Sequence, residues 1–118
     1  MSDVRIYHYP GCGSSENALK IADELGVEAE VIVYRKTPPD RETLTWIVEH
    51  LEDPVADLVR KDSQFAKLGL NAGDYTTNDA VIDLILERKM LMQRPVVVRG
   101  DRVIIGRPKD RIRELLST

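Results

Sequence analysis

A single cysteine, Cys12, lies in a glycine- and serine-rich turn that is suited to nucleophilic chemistry. The turn spans residues 9–15, between a strand-like apolar run, Val4–Tyr7, and a helix-like run, Glu16–Leu25. A thiol at the start of a helix faces unpaired backbone N–H groups and the positive end of the helix dipole, which stabilise a thiolate. The same groups attract an anion. The pattern therefore predicts a nucleophile and an anion site at one place.

Other residues around Cys12 fit the same chemistry. Ser14 and Ser15 supply donors at the helix start, although helix capping explains them equally well. Gly13 lets a ligand approach the backbone closely. His8 can lend positive charge to the thiolate or carry a proton, or it can be a strand-end histidine with neither role. We predict Cys12 and His8 as catalytic residues, and Gly13, Ser14 and Ser15 as substrate contacts.

Composition excludes several classes of function. The 118 residues include 17 basic and 20 acidic side chains, with a net charge of -3 and one cysteine. This balance gives no overall electrostatic footprint for nucleic acid. One cysteine excludes an internal disulfide, a Cys-x-x-Cys pair and a zinc site of several thiolates, so a redox cycle needs an external thiol. We expect no metal, no nucleic-acid partner and a cytoplasmic location.

The N-terminus enters a strand pattern directly, and no apolar run is long enough to span a bilayer. Neither a secretory leader nor a membrane helix is therefore predicted.

The first third of the chain predicts a strand, a helix and a strand. After Val4–Tyr7, apolar residues between Ala18 and Leu25 follow helical spacing, and Gly26 fits the position after a helix end. The run Val31–Val33 predicts a buried strand. A β-α-β unit of this size implies parallel strands joined by a right-handed crossover.

The middle of the chain predicts helices. Thr37, followed by two prolines, is predicted to cap a helix whose apolar face extends to Leu51. A short helix is predicted over residues 53–60, and a looser segment then extends to Tyr75. Thr77 is predicted to cap an apolar helix that ends near residue 88.

The last third predicts a β-hairpin and a closing helix. Residues 95–99 and 102–105 are strand-like around a two-residue turn, and Pro108 is predicted to open the last helix. The element order predicts an α/β fold in one domain, residues 1–118. Its plan is a thioredoxin-like mixed four-stranded sheet with helices on both faces. An all-helical insertion, about residues 38–90, separates the β-α-β half from the β-β-α half.

Several motifs together resemble the glutaredoxin-coupled arsenate reductase family. They occur in that family's order over residues 4–116 and are the segment 6–15, Thr37-Pro38-Pro39, Arg60, the run 94–98 and Gly106-Arg107-Pro108. The resemblance implies a cysteine that attacks arsenate and three arginines that hold the oxyanion. It carries over to Cys12 as nucleophile and to Arg60, Arg94 and Arg107 as substrate-binding residues.

The resemblance also implies the partners of the reaction. These are arsenate or a similar oxyanion, glutathione as co-substrate, and a glutaredoxin that resolves the mixed disulfide, with no tightly bound cofactor. By analogy with thioredoxin-like folds, a cis peptide bond is expected between Arg94 and Pro95.

The chain departs from the family pattern at Tyr9, where asparagine is common, and at Glu16, where arginine is common. A carboxylate near a bound dianion repels it, although Glu16 in a first helical turn also favours the helix dipole and can point to solvent. Two alternatives therefore stay open. One is a glutathione-dependent thiol reductase of the same fold with another substrate. The other is a non-enzymatic regulator that binds RNA polymerase, without the Cys-x-x-Cys switch such regulators often carry.

Overall fold

Four strands form one mixed sheet in the computed structural model, which describes residues 3–117. The strands are β1 (Val4–His8), β2 (Ala29–Val33), β3 (Val96–Arg99) and β4 (Arg102–Ile105). Their order across the sheet is β2-β1-β3-β4. β1 pairs with β2 in parallel, while β1 with β3 and β3 with β4 are antiparallel. The predicted mixed four-stranded sheet and the predicted hairpin between β3 and β4 are both confirmed.

Helices cover both faces of this sheet. They are α1 (Gly13–Glu24), α2 (Arg41–His50), α3 (Ser63–Lys67), α4 (Asn78–Glu87) and α5 (Asp110–Leu116). Single 3-10 turns occur at Val55–Leu58, Ala72–Asp74 and Lys89–Leu91. The helices and 3-10 turns between β2 and β3 occupy residues 41–91, close to the predicted helical insertion of about residues 38–90. None of the helices within residues 3–117 has the length and apolar character needed to cross a bilayer.

Side chains of the central strands point alternately to the two faces of the sheet, and this divides the apolar core into two layers. In β1, Val4 and Ile6 pack with residues of α1 and α5, whereas Tyr7 packs with residues of α2 and α4. Successive side chains of a strand point to opposite faces, so one strand serves both layers. The sheet therefore holds the ends of β1 and β3 rigidly between two apolar layers.

The prediction that Val31–Val33 is a buried run is wrong. β2 lies at the edge of the sheet, and Val31 is 44% exposed. An edge strand has a neighbour on one side only, so helices that cover a central strand leave part of it in solvent. A short apolar run does not reveal whether its strand is central or at an edge.

One of two predicted helix caps differs in the structure, because two prolines follow the predicted capping residue. Thr37 does not cap α2; Asp40 does, and its carboxylate accepts the Thr43 N–H at 2.8 Å. Because Pro38 and Pro39 disfavour helical conformation in the residue before each of them, the helix starts only after both. Thr77 caps α4 as predicted, accepting the Ala80 N–H at 3.2 Å.

Three further boundaries differ from prediction. The short helix expected over 53–60 is the 3-10 turn Val55–Leu58, and α5 begins at Asp110, two residues after Pro108. The segment expected to be loose contains α3, because the Asp62 carboxylate accepts the N–H groups of the first turn of that helix.

Candidate active site

Cys12 is the N-cap residue of α1, directly after the turn that follows β1. Its backbone is extended, and its carbonyl accepts the Glu16 N–H at 2.8 Å, which closes the first helical turn. Gly11 precedes it with φ +87°, a left-handed conformation that favours glycine. The side chain is half-buried and the thiol is free. Gly11 permits this turn, and the turn places the Cys12 sulfur at the N-terminal end of α1.

The surroundings of Cys12 lower its thiol pKa. Partial burial raises the pKa, but backbone N–H groups of Ser15 and Ser14 and the Arg94 guanidinium outweigh this and bring it below its ordinary value. Each of these donors is more favourable to a thiolate than to a thiol. Cys12 is therefore prepared to act as a nucleophile.

Two of the three predicted arginines lie at Cys12, one from each end of the β3–β4 hairpin. The Arg107 Nη2 atom is 3.6 Å from the Cys12 sulfur, and its Nε donates to the Arg94 carbonyl at 2.8 Å. Both arginines precede prolines in cis peptide bonds, and the expected cis bond before Pro95 is among them. The hairpin thereby brings residues 13 positions apart to one sulfur.

Arg94 is enclosed by aromatic rings. Its guanidinium carbon lies 4.1 Å from the centre of the Tyr9 ring, and the Tyr9 and Tyr34 rings are 5.9 Å apart. Burial lowers the Arg94 pKa, but hydrogen bonding and charge at Tyr34 and Cys12 raise it above its ordinary value. The Arg94 Nε is buried and has no hydrogen-bond partner among residues 3–117. Arg94 thus places a guanidinium cation beside the thiol.

Tyr34 is a site residue that sequence reasoning missed. It is fully buried, its hydroxyl donates to the Met92 carbonyl at 3.0 Å, and burial raises its pKa despite the opposing effect of Arg94. The phenol therefore stays neutral. Its position directly after β2 is a usable signal, because ligands bind outside the carboxyl ends of parallel strands, where Cys12 also lies after β1.

Arg60 lies next to this group and does not share its contacts. Its Nε is 2.9 Å from Asp62, and its Nη1 donates to the Gln93 side-chain oxygen at 3.3 Å. The same Gln93 oxygen accepts the Arg94 backbone N–H at 3.3 Å. Gln93 therefore joins Arg60 to the backbone that carries Arg94, and it is a second neighbour that the sequence did not single out.

His8 and Ser15 form a buried pair beneath the turn. His8 Nδ1 is 2.6 Å from Ser15 Oγ, which also accepts the Tyr9 N–H at 2.9 Å. His8 Nε2 is 3.4 Å from the Glu16 carboxylate, which accepts the Gly11 N–H at 3.0 Å. A carboxylate only accepts, so a proton on His8 Nε2 serves the contact with Glu16. These contacts fix the turn that carries the thiol.

The remaining predicted residues leave the mouth of the site open. Gly13 is exposed, and a side chain added there meets nothing within 4 Å. Ser14 is half-buried and acts on the thiol through its backbone N–H. Within residues 3–117, no three His, Cys, Asp or Glu side chains are grouped to hold a metal ion. The arrangement suits attack by a thiolate on an oxyanion held by guanidinium groups.

Comparison with known proteins agrees with this geometry. The ArsC family model matches residues 7–115. A protein named arsenate reductase from Escherichia coli is 37% identical over 117 residues, which is 98% of this chain and 82% of that protein. The uncharacterized protein YfgD from Escherichia coli K12 is 35% identical over 97% of both chains.

A solved structure, the arsenate reductase from Vibrio cholerae, superposes with a TM-score of 0.81 at 31% identity, covering 94% of this chain and 95% of that one. The family resemblance predicted from the motifs is confirmed, as is the thioredoxin-like plan of the fold. With its family model matching nearly the whole sequence, and with Cys12, Arg94 and Arg107 gathered at one helix start, the chain belongs to the ArsC family.

Proposed function

We propose that this protein reduces arsenate to arsenite, with Cys12 as the nucleophile. The observation that carries the proposal is the half-buried Cys12 thiol with Arg107 Nη2 at 3.6 Å and Arg94 beside it. Relatives named arsenate reductase align over 98% of the chain. A thiolate between two guanidinium groups combines a nucleophile with donors for a tetrahedral oxyanion.

In the first step the Cys12 thiolate attacks As(V) of arsenate. A sulfur–arsenic bond forms, an arsenic–oxygen bond breaks, and the oxygen departs as water after taking a proton from the medium. Arg94 and the Nη2 group of Arg107, which lie beside the Cys12 sulfur, hold the remaining oxygens. We assign Arg60 to the same oxyanion through its Nη2, the guanidinium nitrogen that Asp62 and Gln93 do not contact.

In the second step a thiol from solution supplies the electrons. A glutathione thiolate attacks the Cys12 sulfur and forms a disulfide bond. The electron pair of the sulfur–arsenic bond passes to arsenic, so As(V) becomes As(III) and arsenite leaves. A glutaredoxin thiolate then attacks the glutathione sulfur and releases the Cys12 thiolate. This dependence on a reducing thiol pool places the reaction in the cytoplasm.

The test is arsenate-dependent NADPH consumption in the presence of glutathione, glutaredoxin and glutathione reductase. We expect turnover by the wild-type protein and none by Cys12→Ser, whose fold is checked by circular dichroism. Turnover retained by Cys12→Ser would end the mechanism, because no other thiol exists in the chain.

A second candidate is a glutathione-dependent thiol reductase that acts on a substrate other than arsenate. The observation in its favour is the Glu16 carboxylate in the first turn of α1, where its oxygen accepts the Gly11 N–H. A carboxylate there disfavours a dianion. The variant Glu16→Arg distinguishes the two candidates. An inert parent whose variant gains arsenate turnover supports the second candidate, and an unchanged kcat/KM removes it.

A further inference from the structure

A cleft of about 370 Å³ opens beside the arginines of the site. The polar residues that line it are Asp53, Asp57, Lys61, Gln93, Arg107 and Arg111. Its volume lies within the range of about 300 to 1,000 Å³ that is typical of small-ligand sites. We propose that this cleft binds glutathione, the thiol co-substrate, and so orients its sulfur toward Cys12. The proposal rests on the proposed function for its place in the reaction.

The cleft shares residues with the active site. Arg107 lines it while its Nη2 lies 3.6 Å from the Cys12 sulfur and its Nε donates to the Arg94 carbonyl. These contacts leave the Arg107 Nη1 donors free for a carboxylate. Gln93 lines the same cleft and contacts Arg60. A ligand bound here therefore lies against an arginine that also contacts the Cys12 sulfur.

The charges of the cleft complement those of glutathione. Asp53 and Arg111 neutralise one another, since their side chains are 2.6 Å apart and Asp53 also accepts the Ile105 N–H at 3.0 Å. The charges that remain are two cations, Lys61 and Arg107, and one carboxylate, Asp57. Glutathione carries two carboxylates and one ammonium group at neutral pH. The cleft thus presents the opposite set of charges.

Lys61 and Asp57 are placed to bind the amino-acid end of the γ-glutamyl group. Lys61 Nζ donates to the Ala56 carbonyl at 2.6 Å and to the Val59 carbonyl at 3.5 Å, which holds the ammonium at the rim and leaves one of its three donors free. Asp57 belongs to the same 3-10 turn as Ala56, and Val59 follows that turn. Because Lys61 is already ordered, less side-chain entropy is lost when a carboxylate binds. Arg107 is left for the glycyl carboxylate, nearer to Cys12.

The first measurement is saturation kinetics in the arsenate assay with the variants Lys61→Gln and Asp57→Asn. We expect each to raise the KM for glutathione about three- to ten-fold, with the KM for arsenate unchanged. Lys67→Gln is the matched control, because Lys67 is exposed in α3 of the same helical segment and does not line the cleft. Wild-type KM values for glutathione in both cleft variants would overturn the proposal.

The second measurement needs no arsenate. Cys12 attacks the disulfide of oxidised glutathione, so that a Cys12–glutathione disulfide forms and one glutathione thiolate leaves, and mass spectrometry follows the rate. We expect faster reaction with oxidised glutathione than with uncharged hydroxyethyl disulfide, a preference that Lys61→Gln reduces about three- to ten-fold and Lys67→Gln does not. Loss of the preference in Lys61→Gln with no arsenate turnover by the wild type supports the cleft and refutes the reductase. A preference equal in all three proteins refutes the cleft.

Discussion

The guanidinium carbon of Arg94 lies 4.1 Å from the centre of the Tyr9 ring. The chain thus supports one of its two arginines at Cys12 with the aromatic face of Tyr9. A cation over a tyrosine ring is stabilised by about 0.5 to 2 kcal/mol, depending on how dry the contact is. The platform also lies beside buried Tyr34, whose hydroxyl is fixed by the Met92 carbonyl.

Removing this ring tests its role. We expect Tyr9→Leu to raise the KM for arsenate about three- to ten-fold, because Arg94 loses its platform, and Tyr9→Phe to stay within about two-fold of wild type. Steady-state kinetics with saturating glutathione measures both. Equal KM values for the two variants would show that the ring does not position Arg94.

The pH dependence of Cys12 alkylation follows from its lowered thiol pKa. The thiolate is the reacting form, so the iodoacetamide rate is high above the pKa and is lost as the pH falls through it. We expect the midpoint to lie below that of a free cysteine measured alongside it, and Arg94→Gln to move it upward because a favourable charge is removed. A midpoint at or above that of free cysteine would contradict the described surroundings of the sulfur.

Arg60 is expected to act on substrate and not on the thiol. Its side chain binds Asp62 and Gln93, whereas Ser15, Arg94 and Ser14 lower the Cys12 pKa. Arg60→Gln should therefore raise the KM for arsenate about ten-fold while leaving the alkylation midpoint unchanged.

The control for Arg60 is Arg41→Gln, which removes an exposed arginine paired with Asp83. Arg41→Gln should change neither the KM for arsenate nor the alkylation midpoint. An alkylation midpoint that shifts in Arg60→Gln as far as in Arg94→Gln would place Arg60 at the sulfur.

Two adjacent serines should differ in their effect on stability. Ser15 is fully buried, and its hydroxyl oxygen accepts the Tyr9 N–H and contacts His8 Nδ1. Ser15→Ala leaves these two groups without their partner, and we expect a loss of about 1 to 3 kcal/mol in the free energy of unfolding. Ser14→Ala should cost less than about 0.5 kcal/mol. Urea unfolding of both variants measures the difference, and equal losses would contradict the buried pair.

Gly106 is a close-packing position beside Arg107. A side chain added there would lie 2.7 Å from Pro95 and 2.8 Å from Ile112. We expect Gly106→Ala to lower the free energy of unfolding by about 1 to 3 kcal/mol, since the neighbours must shift. Gly13→Ala is the matched control for stability, because nothing lies within 4 Å of the added carbon. A Gly106→Ala protein with the wild-type free energy of unfolding would contradict this, because Pro95 and Ile112 would then shift without loss of stability.

Much of the fold was predictable because local signals agree with it. The apolar run before Cys12 predicts β1, and the Gly100-Asp101 turn predicts the β3–β4 hairpin. The Thr77 cap predicts the start of α4. The errors have specific causes. The Val31–Val33 run does not reveal that β2 is an edge strand, and two prolines delay the start of α2 until Asp40.

The site was predictable to the extent that its residues lie in local motifs. Cys12 and its serines lie in one turn, and the motif resemblance singled out Arg94 and Arg107. Tyr34 and Gln93 were missed, because each joins the site through contacts between segments far apart in the chain. His8 was expected to act at the thiol, and its contacts with Ser15 and Glu16 are an outcome of side-chain packing that spacing does not determine.

The hairpin that delivers Arg94 and Arg107 starts and ends at the active site and turns at its far end. Cys12 and the two arginines beside it are thus encoded in two short stretches of chain, residues 8–16 and 93–107, while Arg60 comes from the helical segment between β2 and β3. Mutations in that segment can redesign the recognition of a ligand while the chemistry of the sulfur stays intact. The architecture thereby keeps part of ligand recognition on a segment of its own, and this is a route by which one scaffold diversifies its substrates during evolution.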